Sequence, residues 1–117
     1  MSMFNRAQRL LSRLDLVERG FRGAGAATAI MGLSHFAAPR VFEAITRPVF
    51  PEDTANWVKV NGTSEAVIGF ALIDRRTRLL GLVGLVVYGV HLGERAGTAV
   101  VARLRENEAI SAPSFAD

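Results

Sequence analysis

Three polar side chains in apolar surroundings are the residues of this sequence best placed to do chemistry: His35, Asn61 and Glu65. Asn61 and Glu65 are four residues apart, so they share one face of a helix. His35 lies in the preceding apolar run, and an antiparallel arrangement of the two runs would bring it close to Glu65. A carboxylate inside a membrane helix is costly unless it is neutral, paired or turned towards a polar cavity. The cluster therefore predicts either a proton- or headgroup-binding site or a structural hydrogen bond between two helices.

Glycines at every fourth position form a second pattern, at Gly89, Gly93 and Gly97. Such a spacing puts small residues on one helix face and lets another helix approach closely. The pattern predicts a helix-packing face and leaves open whether the packing is within the chain or between chains.

Basic and aromatic residues at the ends of the apolar runs predict contact with a membrane surface. Arg75, Arg76 and Arg78 form a short charged turn, and we expect them to bind anionic headgroups. Trp57 opens the second apolar run, and tryptophan is enriched at the membrane interface.

Enzyme motifs are missing from the sequence, which has no phosphate-binding glycine loop, dinucleotide fingerprint, zinc-protease motif or serine elbow. The chain also has no cysteine, so thiolate metal sites and disulfides are excluded. We therefore expect no catalytic residues, no metal and no cofactor, and the missing motifs favour a protein that is not an enzyme.

Composition favours a membrane protein. The 117 residues are 50% hydrophobic and 21% charged. A small soluble domain has a high surface-to-volume ratio and needs more polar residues than this to cover its surface. The strong excess of arginine over lysine indicates a GC-rich genome, from which we expect a bacterial source. The basic residues lie between the apolar runs, which suits a membrane surface and not nucleic acid. We predict an amphipathic interfacial helix over 1–19, a transmembrane bundle over 20–106 and a polar tail over 107–117.

The predicted fold is all-α, with three to four transmembrane helices after the amphipathic N-terminal helix. The expected spans are 21–38, 57–73, 79–92 and a weaker 96–104. Charge distribution favours four passes, whereas the short last run, at about 14 Å, favours three. The sequence thus predicts a multi-pass protein of the bacterial inner membrane.

Part of the chain resembles the small DoxX-like membrane proteins. The resemblance covers about 45 residues: the run Gly32–Phe42, then Trp57, Asn61-Gly62, Glu65, Gly69, Leu72 and the turn Arg75–Arg78. Where many relatives carry a Pro-Ala-Asn-like element, this chain has Tyr88–His91. The resemblance implies a four-helix membrane bundle and association with quinone-linked redox chemistry.

The expected function is that of an accessory subunit. The chain has almost no soluble mass and no catalytic constellation, and it offers small-residue helix faces. We expect it to pack in the lipid bilayer on a larger integral membrane complex, such as a lipid transporter or a respiratory assembly. The alternative is a DoxX-like, quinone-linked redox component.

Overall fold

A computed structural model describes residues 2–113 of the chain as an all-helical protein. Helix α3 lies in the middle and packs against each of the other helices. The bounds are α1 Met3–Ala37, α2 Pro39–Thr46, α3 Thr54–Ile73 and α4 Arg78–Ser111. The first half of the predicted polar tail therefore belongs to α4, and its residues 114–117 lie outside the described part.

Helix α1 is continuous through the boundary that the sequence predicts after residue 19. Its N-terminus is capped by Ser2, whose Oγ accepts a hydrogen bond from the backbone N–H of Asn5 at 3.3 Å. It ends before Pro39, because proline lacks the N–H that would continue the helix. The amphipathic segment 1–19 and the following apolar run thus form one rod, and the membrane contact of that segment stays a prediction.

Two matching sets of small residues bring α1 and α3 into close antiparallel contact. A Cβ added to Gly32 would lie 2.3 Å from the backbone nitrogen of Ala66, and one added to Gly69 would lie 2.3 Å from that of Ala29. Backbone therefore touches backbone at this crossing, as in close-packed membrane helices. The residues are Gly25, Ala29 and Gly32 on α1 and Gly62, Ala66 and Gly69 on α3.

Helix α4 returns antiparallel along the other side of α3. Its first turns approach through Gly81, which faces Leu72, and Gly84, which faces Ile68. No pair of Cα atoms from α1 and α4 lies within 8 Å, so α3 separates these two helices, which run in the same direction. Each of them also extends beyond α3, and every residue of 2–17 and of 100–113 is exposed.

A cluster of charges ties α1 to the start of α4. Arg78 donates from both terminal guanidinium nitrogens to the carboxylate of Glu18, at 2.8 and 3.2 Å. The Nε of Arg75 donates to the same carboxylate at 3.0 Å. These hydrogen bonds from Arg78 and Arg75 lower the pKa of Glu18 from 4.5 to about 2. The guanidinium of Arg78 also lies 4.5 Å above the ring centre of Phe21.

The prediction of three to four transmembrane helices is wrong, and with it the multi-pass location. Among the described residues, α4 alone is long and apolar enough to cross a membrane. Helix α1 fails because Arg22, His35 and several glycines lower the mean hydropathy of its apolar run. Helix α3 fails because it carries Lys59, Asn61 and Glu65. The third and fourth predicted spans are one helix, since the chain stays helical through Gly93.

Candidate functional site

The three polar residues singled out in the sequence lie around one cavity, at the level where α2 packs against α3. His35 is buried at 6% exposure and Asn61 at 4%, and Glu65 is half-buried. His35 fits against α3 because its neighbour there is Gly62, where an added Cβ would lie 2.6 Å from the Cβ of His35. The close crossing of α1 and α3 therefore also brings His35 to the face that carries Asn61 and Glu65.

Each polar group of the cluster has a different hydrogen-bonding state. The hydroxyl of Tyr88 donates to Oε1 of Glu65 at 2.5 Å, which links α4 to α3. His35 Nδ1 lies 2.9 Å from the carbonyl oxygen of Met31, so Nδ1 carries the hydrogen. The Oδ1 of Asn61 is buried and has no hydrogen-bond partner among the described residues. Within the described residues Glu65 thus has a hydrogen-bond donor in Tyr88, whereas the Oδ1 of Asn61 has none.

The cavity has a volume of about 310 Å³ and takes side chains from all four helices. Its polar lining consists of His35, Thr46, Asn61, Glu65 and Tyr88. Its apolar lining includes Met31, Phe42, Ile45, Phe50 and Leu92, and the ring of Phe42 stacks on His35 at 3.9 Å. A mostly apolar cavity with a few convergent polar groups is the usual form of a small-molecule site.

An aromatic cluster adjoins this cavity and holds Trp57. The ring of Trp57 stacks on Phe50 at 4.7 Å between centres and lies 5.3 Å from His91. The guanidinium of Arg95 lies 5.0 Å from the centre of the Trp57 ring, within cation–π range. Trp57, in the first turn of α3, therefore packs against the preceding loop and α4. Its contact with a membrane surface stays a prediction.

The remaining predicted residues lie away from the cavity. A Cβ added to Gly89, Gly93 or Gly97 would meet nothing within 4 Å, so these glycines pack against no other part of residues 2–113. Arg75 and Arg76 are exposed at the turn before α4. Arg78 is half-buried and bound to Glu18, which occupies its guanidinium within the chain. Headgroup binding by these arginines stays a prediction.

Sequence reasoning missed Tyr88 and Thr46, which complete the polar lining of the cavity. The signal for Tyr88 was present, because it is the one tyrosine of the chain and interrupts an aliphatic run. Thr46 carried no such signal. Within residues 2–113 no group of three or more His, Asp or Glu side chains lies close enough to hold a metal ion.

A family model described as "Domain of unknown function (DUF8561)" matches residues 24–110, or 87 of the 117 residues. The chain belongs to this family. The matched region contains the whole α1–α3 crossing and the cavity, and it leaves out the N-terminal part of α1. No curated protein and no solved structure matches the chain. The resemblance to DoxX-like proteins, and the quinone-linked role that it implies, stay predictions.

Proposed function

We propose that this protein is a non-catalytic accessory subunit that packs on a larger membrane complex and stabilises or regulates it. The observation that carries the proposal is the exposure of α4. The most apolar 18-residue window of this helix has a mean hydropathy of 1.3, and 6% of the window is buried. The core helix of a soluble protein would be mostly buried, whereas this apolar surface needs lipid or another protein to cover it.

The outward face of α4 suits contact with another helix. Gly89, Gly93 and Gly97 lie along it and are open, and the exposed Val86 and Val100 flank them. Small residues between aliphatic ones let two helix backbones approach closely and gain dispersion contacts. This face therefore supports packing on a helix of a partner.

The N-terminal half of α1 offers a second uncovered surface. Its exposed Phe4, Leu11 and Leu14 lie on one side at helical spacing, and the arginines lie on the other side. The segment 3–17 is about 22 Å long and projects past the end of α3. Exposing an apolar helix face to water is unfavourable. The face therefore supports a contact with a partner or a lipid surface.

The proposal is tested by affinity purification of the tagged chain from native membranes in a mild detergent. We expect the chain to sediment with the membranes and to elute together with a larger complex whose yield falls when the chain is deleted. Recovery in the high-speed supernatant, or elution as a lone small protein, would contradict the proposal.

A matched pair of variants separates the partner contact from folding. Gly93→Leu adds a side chain to the outward face of α4 at a position where an added Cβ meets nothing within 4 Å, so it should lower recovery of the partner by about tenfold or more. Gly23→Leu makes the same change at an equally open glycine of α1 and should leave recovery unchanged. Equal loss in both variants would show that α4 is not the contact face.

A further inference from the structure

The amide of Asn61 is the unexplained feature of the cavity. Only 4% of the surface of this residue is exposed, and its Oδ1 has no hydrogen-bond partner in the described chain. A buried acceptor without a donor costs free energy, so buried polar groups are nearly always paired. Asn61 also lines the cavity between the four helices. The cavity is thus a space beside Asn61 in which a donor would be accommodated.

The other polar groups around the cavity define which partner fits. Glu65 already accepts the hydroxyl hydrogen of Tyr88. The Nδ1 of His35 donates to the Met31 carbonyl, so when the ring carries a single hydrogen its Nε2 is an acceptor. Glu65 and His35 thus offer acceptors here, and no arginine or lysine is among the described residues that line the cavity. A ligand carboxylate or phosphate would find no arginine or lysine to pair with and would lie beside the carboxyl group of Glu65, so the cavity disfavours acids.

Size and wall chemistry limit the rest of the molecule. The volume of about 310 Å³ is close to the lower limit of ligand sites, which hold roughly 300–1,000 Å³. The walls formed by Met31, Phe42, Ile45 and Leu92 favour an apolar body. The unsatisfied atom is a neutral amide oxygen, so the site lacks one donor hydrogen and not a positive charge.

We propose that this cavity binds the hydroxyl end of an uncharged, apolar alcohol, with the ligand hydroxyl donating to Oδ1 of Asn61. The hydroxyl of Thr46, which lines the same cavity, is available as a donor to the ligand oxygen. The apolar part of the ligand lies against the aromatic and aliphatic walls. This binding does not depend on the accessory role proposed above.

Trp57 is a built-in probe for the test, since it is the one tryptophan of the chain and stacks on Phe50, a residue of the cavity wall. The full chain in detergent is titrated with a bromine-substituted medium-chain primary alcohol, which quenches tryptophan fluorescence on contact. The matched bromoalkane, bromoacid and bromoamine are titrated in parallel. We expect saturable quenching, with the alcohol binding about tenfold more tightly than the bromoalkane. Equal binding of the alcohol and the alkane, or tighter binding of the acid or the amine, would overturn the proposal.

Substitutions test whether the tighter binding of the alcohol than of the alkane depends on Asn61. Asn61→Leu keeps a side chain of similar size but removes the acceptor, so the alcohol should bind no better than the alkane. Ser64→Ala is the matched control, because its hydroxyl bonds the Val60 carbonyl on the same helix and does not line the cavity. It should keep the tenfold preference. A preference that survives in Asn61→Leu would refute the assignment of the donor hydrogen.

A second variant keeps the test decisive if Asn61→Leu does not fold. Ala96→Leu adds side-chain volume to the cavity from α4 and leaves the Asn61 amide intact. Saturable quenching by the alcohol should then disappear. Trp57 also borders an open groove between α3 and α4, lined by Val60 and Val87. Quenching that persists unchanged in Ala96→Leu would come from that groove and would overturn the proposal.

Discussion

The close crossing of α1 and α3 makes a quantitative prediction for Gly32→Ala. The added Cβ would lie 2.3 Å from the backbone nitrogen of Ala66 and 2.6 Å from the carbonyl oxygen of Gly62, whereas ordinary contact begins at 3.4 Å. Because both neighbours are backbone atoms, no side chain can rotate away, and the helices must separate by about 1 Å. A gap of this size forfeits roughly a quarter to a half of each dispersion contact along the interface. We expect a loss of about 2–4 kcal/mol in the free energy of unfolding.

Gly23→Ala is the matched control, because it is the same substitution in the same helix at a position with nothing within 4 Å. Alanine is a better helix former than glycine, so this variant should be more stable by about 0.5–1 kcal/mol. The assay is denaturant unfolding of the purified full chain, followed by circular dichroism at constant detergent. Gly32→Ala combined with Gly69→Ala should cost less than the sum of the two, since one separation of the helices relieves both clashes. If Gly32→Ala unfolds at the same denaturant concentration as Gly23→Ala, the reasoning is refuted.

Two further predictions concern hydrogen bonds between helices. Tyr88→Phe removes the hydroxyl that donates to Glu65 and should lower the free energy of unfolding by about 1–2 kcal/mol in the same assay, whereas unchanged stability would show that the bond contributes nothing. The pKa of Glu18 is lowered from 4.5 to about 2 in the folded chain by Arg78 and Arg75, so its stabilising effect is complete above pH 4.5 and is lost as the pH falls towards 2. Glu18→Gln should therefore reduce the fall in melting temperature between about pH 6 and pH 3, and an identical fall in both proteins would contradict this linkage.

The polar cluster shows what residue spacing alone can predict. Asn61 and Glu65 share a face because they are four residues apart on a helix, and that conclusion needs no tertiary information. The approach of His35 depends on Gly62, whose lack of a side chain lets the two helices meet at this level. The donation from Tyr88 to Glu65 depends on how α4 is aligned along α3, and no local pattern encodes that alignment.

The predicted number of membrane-crossing helices is wrong for two physical reasons. Gly93-Glu94-Arg95 looks like a break between two apolar runs, but a helix tolerates one glycine at a cost of about 1 kcal/mol and carries charged residues freely where it is exposed. Short apolar runs also do not distinguish a helix covered by lipid from a helix covered by its own chain. In α1 the small residues of the apolar run are used for contact with α3.

The crossing of α1 and α3 has a local two-fold axis. Gly25, Ala29 and Gly32 repeat the spacing of Gly62, Ala66 and Gly69, and exchanging the two helices reproduces the 2.3 Å and 2.6 Å approaches at both ends. A surface that is complementary to its own rotated copy does not distinguish the two helices by shape. A peptide that carries either helix alone is therefore expected to pair with a second copy of itself, and the link through α2 and its loop gives the chain its preference for the internal pair.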